Sequence, residues 1–455
     1  MGHRAGVRLR HGLRAAVAIV AGVSAAAQGR LDTAASHRLE ASALHGRAFE
    51  YVADLTRSVG PRLSGSPAYQ RAAIWAVEQF NAAGVARVAP ESFSIARGWS
   101  REEPGRGRIT APVDRPISLE SFGWAPSLPA DGIEAEVILA GPDLVSNPEQ
   151  ARDRVVLVAG SLRLDQDRRL KAAGALALVF AGSGADNDIP ARLREFGGEI
   201  AALPTALLTA DSAQLIRDLL HQGPVRIQLA YRNRITDGPV SMPNVVAEIP
   251  GREHPDEFVV VGAHLDSWDF ATGAQDNATG VAMVLEAARS IAALGRAPRR
   301  SIRFALWGAE EQGLLGSSAY VRQHEHELEQ CVAVLNADGG TGQIIGWTTP
   351  GRDDVMAAVR TLSRALLSEL RTDAVDKSMA YAFDSDGGPF IRQGIPALDM
   401  NVDDVPYELI HHKVTDTLDR VNERNLARGA AMVAITAYAV ADAPQRIAPR
   451  GPRVR

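Results

Sequence analysis

Residues 259–280 read VVVGAHLDSWDFATGAQDNATG and combine a predicted strand, a polar loop and the start of a predicted helix. The first residues of this stretch form a short apolar, β-branched run, which is typical of a strand buried on both faces. An apolar pattern with helical spacing follows Gly280. His264, Asp266 and Asp276 lie between the two elements. In an open α/β sheet, functional sites occur where strands give way to loops and helices.

The rest of the chain predicts an α/β fold. From Pro243 to Val440, short apolar runs alternate with stretches of helical spacing, which favours a mixed sheet flanked by helices. Four further polar segments lie at the ends of predicted strands or just before predicted helices. They are Glu310-Glu311, Asn336-Ala337-Asp338, Asp384-Ser385-Asp386 and His411-His412.

These residue types are those of a zinc site. Zinc accepts imidazole nitrogen and carboxylate oxygen as ligands. Two zinc ions can share one carboxylate and one water, provided that a further carboxylate stays unligated as a base. The chain supplies two histidines and several carboxylates at successive strand ends, so the sequence predicts a two-zinc hydrolase site.

Composition excludes several classes of partner. A net charge of −5 and a pI near 6.2 give no reason to expect nucleic acid or an anionic membrane surface. Cys331 is the one cysteine, so no intramolecular disulfide can form, and we expect it to be a small buried residue. The sequence leaves a homodimer open.

The first 27 residues are typical of a secretory signal peptide. Arginines precede the apolar run Ala15–Val23, and small residues follow it. The alternative is an uncleaved membrane anchor, but the run is shorter than the ~20 residues that a spanning helix needs. We therefore expect an exported protein, either secreted or periplasmic, with no stable membrane insertion.

The remaining chain divides into four predicted parts. Residues 28–115 form the N-terminal part of the main domain, and an irregular crossover or linker from Pro90 to Pro129 continues into the next part. Residues 116–235 form an inserted α/β module, residues 236–442 the catalytic domain, and residues 443–455 a disordered tail. The module lacks clustered ligand residues. It is either a lid that shapes the substrate site or a passive insertion.

The motifs resemble those of the co-catalytic zinc exopeptidases, a family that contains aminopeptidases and glutamate carboxypeptidases. The resemblance extends further to its carboxypeptidase Q branch and implies that the module is similar to a protease-associated domain. The motifs that carry it are Gly60-Pro61-Arg62-Leu63-Ser64-Gly65-Ser66, His264-Leu265-Asp266-Ser267, Asp276-Asn277, Glu310-Glu311, Asn336-Ala337-Asp338 and His412-Lys413-Val414-Thr415-Asp416-Thr417.

The resemblance implies a role for each residue of the site. Asp276 would bridge two Zn²⁺ ions per chain, and Glu310 would be the general base. The other zinc ligands would be His264, Glu311, Asp338 and His412. Asp266 would hold the His264 ring through its second nitrogen, and Asp416 would support the loop that carries His412. Asp386 lies in a turn that the family shares, without an assigned role.

His411 departs from the pattern of many aminopeptidase relatives, which have Tyr immediately before the histidine ligand. Adjacent side chains on an extended backbone point to opposite sides, so only one of His411 and His412 can face a given zinc. The family spacing assigns the metal to His412. We therefore expect His411 to donate a hydrogen bond to the developing oxyanion. The alternative is a histidine packed against the loop or exposed to solvent.

The implied activity is hydrolysis of dipeptides or short peptides by an activated water. The carboxypeptidase Q branch favours substrates with a free carboxylate, whereas the wider family favours an aminopeptidase. Two other classes stay open: a non-catalytic ectodomain that shares this fold, and a one-zinc enzyme that acts on non-peptide amides. The retained ligands argue against the ectodomain, and metal stoichiometry would separate the one-zinc enzyme from the peptidase.

Overall fold

The chain folds around two eight-stranded sheets in a computed structural model that describes residues 32–182, 188–403, 407 and 409–454. The predicted signal peptide, residues 1–27, lies outside the described residues. Across the described part, a search for membrane-spanning helices finds no candidate.

The strands, in chain order, are β1 (Arg87–Ile95), β2 (Gly98–Ala111), β3 (Arg115–Ile117), β4 (Leu119–Ser121), β5 (Ile133–Leu139), β6 (Arg154–Val158), β7 (Ala177–Ala181), β8 (Thr205–Leu208), β9 (Arg226–Thr236), β10 (Val240–Ile249), β11 (His254–His264), β12 (Arg300–Trp307), β13 (Cys331–Asn336), β14 (Ile344–Thr348), β15 (Ala374–Asp376) and β16 (Ala397–Val402). The α-helices of the described residues are α1 (Thr33–Leu44), α2 (Ala48–Ser58), α3 (Pro67–Ala82), α4 (Pro142–Ser146), α5 (Leu164–Ala172), α6 (Ala210–Leu220), α7 (Thr279–Ala293), α8 (Leu315–Gln323), α9 (Asp353–Leu366), α10 (Gly388–Arg392) and α11 (Glu423–Asp442).

Strand β11 lies in the middle of the first sheet, whose order is β1-β10-β12-β11-β13-β16-β14-β15. It runs parallel to β12 on one side and to β13 on the other. Val259, Val260 and Val261 are fully buried, which confirms the prediction of a strand covered on both faces. Because the three strands are parallel, their carboxyl ends reach the same edge of the sheet, where His264 lies.

Helices cover both faces of this sheet. On one face, α7 packs against α11, α1 and α2 in a large apolar core. On the other face, α8 and α10 contribute Tyr320 and Phe390 to a second core with Trp307 of β12. The prediction of a mixed sheet flanked by helices is confirmed. Helix α7 is buried over most of its length, so the loop that enters it is held close to the sheet.

The second sheet is a module inserted between β1 and β10 of the first. Its order is β3-β2-β9-β5-β6-β7-β8-β4, and it has its own core around Val155, Val179 and Ile227. The sheet begins at Gly98, before the predicted start of the insertion at residue 116. The linker predicted from Pro90 to Pro129 is wrong, because it contains most of β1 and all of β2.

The C-terminal segment is packed rather than disordered as far as residue 454. The Arg446 guanidinium donates hydrogen bonds to the Glu257 carboxylate at 2.8 Å and to the backbone carbonyl of Glu329 at 2.8 Å. The backbone N–H of Gly451 donates to the carbonyl of Gly394 at 2.7 Å. The prediction of disorder is wrong, because these hydrogen bonds attach the segment to the main domain.

Candidate metal centre

The carboxyl ends of β11, β12 and β13 bring the predicted ligands to one place. His264 is the last residue of β11, Glu310 and Glu311 follow β12, and Asp338 follows β13. Asp276 lies in the buried turn that enters α7. The loop after β16 then supplies His411 and His412 from the far end of the chain. Parallel strands with helical crossovers produce this convergence.

The two carboxylate oxygens of Asp276 face two separate groups of side chains. Asp276 Oδ1 lies 3.1 Å from His264 Nε2, which in turn lies 3.4 Å from Asp338 Oδ1. Asp276 Oδ2 lies 3.5 Å from His412 Nε2, which lies 2.9 Å from Glu311 Oε2. Each group offers imidazole nitrogen and carboxylate oxygen, and Asp276 belongs to both. This is the arrangement that a shared carboxylate between two metal ions requires.

Burial strongly perturbs the charges of this cluster. Burial raises the pKa of Glu310 well above its usual value, and the Glu311 and Asp338 carboxylates add to this effect. Burial likewise raises the pKa of Glu311, with Asp276 adding to it. Burial lowers the pKa of His264, but the Asp338 carboxylate and its neighbours outweigh burial and hold that pKa well above its usual value. Without a cation, these carboxylates repel one another.

The residues present fit a pair of divalent metal ions. Glu311 Oε1 is buried and has no hydrogen-bond partner in the described part of the chain. Buried carboxylate oxygens normally have a partner, and one without a partner beside imidazole nitrogens fits the coordination of a cation. His264, Asp276 and Asp338 also bring ligand atoms within 4.8 Å of one another, as do His264, Glu310 and Glu311. The donor set of nitrogen and oxygen is one that zinc accepts.

Comparisons with known proteins agree with this geometry. Residues 244–437 match the sequence model of "Peptidase family M28". The matched residues form a peptidase family M28 domain. The chain is 28% identical to carboxypeptidase Q of Rattus norvegicus over an aligned length of 410 residues, which covers 87% of this chain and 85% of that protein.

Solved structures extend the likeness beyond the M28 domain. A Peptidase M28 precursor from Shewanella amazonensis has a TM-score of 0.79 and 28% identity, with 92% of this chain and 98% of that chain covered. BSAP, a zinc aminopeptidase from Bacillus subtilis, shares the fold with a TM-score of 0.66 at 22% identity, with 86% of this chain and 94% of that chain covered. The predicted resemblance to the zinc exopeptidases is confirmed, and these findings indicate a metallopeptidase.

Asp266 contacts both the His264 ring and the backbone of Glu310. The Nδ1 atom of His264 lies 3.1 Å from the backbone carbonyl oxygen of Asp266, whereas the carboxylate Oδ1 is 3.8 Å away. The carboxylate instead accepts hydrogen bonds from the Ser64 hydroxyl at 2.7 Å and from the backbone N–H of Glu310 at 3.2 Å. Asp266 therefore contacts the second nitrogen of the His264 ring through its backbone carbonyl, and its role in holding that ring stays a prediction.

The Asp416 carboxylate contacts the turn that carries Asp276. It accepts hydrogen bonds from the backbone N–H of Gln275 at 2.6 Å and from that of Asp276 at 3.2 Å. Burial raises the pKa of Asp416 to about 7, and the charge of Asp276 adds to this effect. These hydrogen bonds attach the segment that carries His412 and Asp416 to the Asp276 turn, and the support of the His412 loop stays a prediction.

Asp386 is buried beside the cluster. In the described part of the chain neither of its carboxylate oxygens has a hydrogen-bond partner. Burial raises the pKa of Asp386 to about 7, and the Asp338 and Asp266 carboxylates contribute to the rise. The Asp386 carboxyl is therefore able to keep its proton near neutral pH in the absence of metal.

His411 and His412 differ in their contacts. His412 Nε2 lies 2.9 Å from Glu311 Oε2, whereas His411 Nε2 lies 3.9 Å from Asp276 Oδ2. The His411 ring stacks on Tyr407 and contacts the His412 ring, with centroids 5.0 and 3.9 Å apart. Both imidazoles offer a ligand atom together with Asp276, so the assignment of the metal to His412 stays a prediction.

The sequence did not identify two contacts that fix this site. Trp268 Nε1 donates a 2.7 Å hydrogen bond to the Glu311 carboxylate, and its indole lies against the His412 ring. The backbone N–H of Ala191, in the inserted module, donates to the carbonyl of His412 at 2.7 Å. Trp268 follows the His264 motif directly, which was a usable signal. The sequence carries no comparable signal for Ala191.

The ligands open into a cavity of about 830 Å³. His264, Asp276 and Glu310 lie on its wall, and Phe196 of the inserted module lies at its rim with an exposed fraction of 66%. Cys331 is not part of this site: it is buried in the sheet, and burial raises the pKa of its thiol to about 12. It is the small buried residue that the sequence predicted.

Proposed function

We propose that this chain is an exported two-zinc exopeptidase that hydrolyses dipeptides or short peptides. The observation that carries the proposal is Asp276, whose two oxygens face separate groups of ligands. His264 and Asp338 would complete one zinc site, and Glu311 and His412 the other. When bound, the two ions would lower the pKa of a water molecule and polarise the peptide carbonyl.

Glu310 is the proposed general base. It is adjacent in sequence to Glu311, it lines the cavity, and the ligand assignment leaves its carboxylate unligated. It takes a proton from the attacking water and returns it to the leaving amine. His411, on the same wall, donates a hydrogen bond to the carbonyl oxygen as that atom gains charge.

Glu310→Gln tests this mechanism. The amide keeps the size of the side chain but cannot accept the proton. We expect zinc content to persist while kcat falls by at least ~10²–10⁴. His326→Gln, on a turn outside the cavity, is the control for an unrelated substitution of a polar residue. Near wild-type kcat in zinc-loaded Glu310→Gln would contradict the proposal and move the base elsewhere, first to Asp386.

A panel of substrates would show which end of the peptide the enzyme recognises. The same dipeptide is assayed with both ends free, with its amino end acetylated and with its carboxyl end amidated. Cleavage that requires the free carboxylate supports a carboxypeptidase or dipeptidase. Cleavage that requires only the free amine, and that continues along longer peptides, supports the aminopeptidase alternative. Two zinc ions per active chain support the peptidase over a one-zinc amidohydrolase.

The inserted module is the proposed limit on substrate length. Besides the Ala191 contact, the backbone N–H of Gly197 donates to the carbonyl of Gln312 at 2.9 Å, next to the ligand Glu311. Phe196 therefore projects into the rim from a segment that is fixed on both sides. Dipeptides should be cleaved and folded proteins left intact. Efficient cleavage of an internal bond in a long peptide capped at both ends would refute the limit.

A further inference from the structure

The segment from Gly60 to Ser66 lies against the metal centre, although it precedes the first ligand by about two hundred residues and lies outside the matched M28 region. Arg62 and Ser64 are both fully buried. The Arg62 guanidinium donates hydrogen bonds to the backbone carbonyls of Leu265 at 2.6 Å, Thr272 at 2.8 Å and Gly273 at 2.8 Å. It therefore fixes this segment to the loop that joins His264 to Asp276.

Ser64 is linked to Glu310 through one carboxylate. The Ser64 hydroxyl donates to Asp266 Oδ2 at 2.7 Å, and Asp266 Oδ1 accepts the backbone N–H of Glu310 at 3.2 Å. Asp266 is fully buried. Rotation about the last side-chain torsion of an aspartate has only broad minima, so the plane of the carboxylate is set by its hydrogen bonds. The hydrogen bond from the Ser64 hydroxyl thus orients the Asp266 carboxylate, which accepts the backbone N–H of Glu310.

The backbone at Glu310 needs such a contact. Ala309, immediately before it, has φ of +54°, in the left-handed region that residues other than glycine rarely adopt. Such a conformation persists only when the surrounding structure holds it. The hydrogen bond from the Glu310 N–H to Asp266 is one of the contacts that hold this turn. A small rotation here would move the Glu310 carboxylate relative to the ligands.

We propose that Ser64 is a positioning residue for the general base, acting through the Asp266 carboxylate on the backbone of Glu310. The proposal rests on the proposed role of Glu310. Neither the Ser64 hydroxyl nor the Asp266 carboxylate is needed as a zinc ligand, so the effect falls on turnover rather than on metal content. Positioning errors of about 1 Å can cost ~10²-fold in rate.

Ser64→Ala in the zinc-loaded full chain is the first test. We expect kcat to fall ~10–100-fold, with KM and zinc content unchanged. Losses of this size are typical when a group that hydrogen-bonds to a residue of a metal site is removed. Ser66→Ala is the matched control two residues away. The Ser66 hydroxyl caps α3 by accepting the backbone N–H of Tyr69 at 3.1 Å. Its loss should lower Tm and leave kcat unchanged.

Ser64→Ala in a Glu310→Gln background separates positioning from a general structural role. If Ser64 acts only by orienting the base, its removal should have no further effect once the base is gone. An equal loss of kcat in both backgrounds would overturn the proposal, as would loss of zinc in Ser64→Ala. If Ser64→Ala does not fold, Ser64→Cys carries the same comparison with a weaker donor, and wild-type kcat in it would also overturn the proposal. Should Glu310→Gln alone retain near wild-type kcat, the proposed function fails together with this inference.

Discussion

Asp416→Asn tests how the turn that carries Asp276 is held. In the wild-type protein both Asp416 oxygens accept backbone N–H groups, from Gln275 and from Asp276. Asparagine has one acceptor oxygen, so its amide N–H₂ group would face one of these donors. Asp416 is only 4% exposed, so water cannot readily replace the lost hydrogen bond. We expect the turn to loosen around the bridging carboxylate.

Asp416→Asn should weaken zinc binding, but in the metal-free protein it should remove a loss of folding stability near neutral pH. With zinc, the variant loses the hold on Asp276 and a nearby negative charge, and zinc Kd should rise ~10–100-fold. Without metal, burial beside Asp276 raises the pKa of Asp416 from 3.8 to about 7. The folded wild-type protein then keeps a proton that the unfolded chain has already released. Its stability falls between about pH 4 and pH 7, by up to about 4 kcal/mol from this group. The variant lacks that contribution.

Chelator competition gives zinc Kd, and urea midpoints of the chelated proteins at pH 5 and pH 8 give the stability difference. The other perturbed carboxyls are common to both proteins and cancel in the comparison. Asp419→Asn is the matched control, because it removes the same charge from a surface carboxylate that accepts the Thr417 hydroxyl. It should leave zinc Kd unchanged. Wild-type zinc affinity in Asp416→Asn, together with an undiminished fall in stability from pH 5 to pH 8, would refute the reasoning.

Further variants test the ligand assignment. Asp276→Ala should weaken both metals together, whereas His264→Ala should weaken mainly one; elemental analysis that finds two zinc ions per Asp276→Ala chain would refute the bridge. His412→Ala should lose metal, and His411→Ala should keep both ions while kcat falls ~10²–10³-fold; loss of zinc from His411→Ala would reverse the assignment. Zinc affinity and activity should both fall in mild acid, because a histidine must be neutral to bind a metal, and chelator competition at pH 5.5 and 7.5 would detect it.

The sequence predicts the part of the fold that depends on local pattern. The buried run before His264 predicts β11 because a strand covered on both faces must be apolar throughout. The ligands could be found for a related reason. The carboxyl ends of parallel strands lie at one edge of the sheet, so the proposed ligands His264, Glu311 and Asp338 could be brought together without any knowledge of the loops.

The sequence does not predict elements whose residues lack the pattern of the structure that they form. Strand β2 is largely polar with three buried residues, contains Pro104 and Gly105, and pairs with β9 through several register shifts, so its sequence lacks the apolar alternation of a strand. The contacts that support the ligand loops could not be predicted for a different reason. The contact of the Asp416 carboxylate with the Asp276 turn depends on how two distant loops pack, and no spacing along the chain records that.

The site depends on segments far outside its own motif region. The backbone of the loop after β11 is held by Arg62, and the carbonyl of His412 is held by Ala191. Neither residue lies within residues 244–437, which match the M28 family. A chain cut to those residues would keep every proposed ligand and lose both contacts, and it would also lose β1 and most of the pairing that covers β10. The chemistry is therefore encoded in the matched region, but the geometry that the chemistry needs belongs to the whole chain.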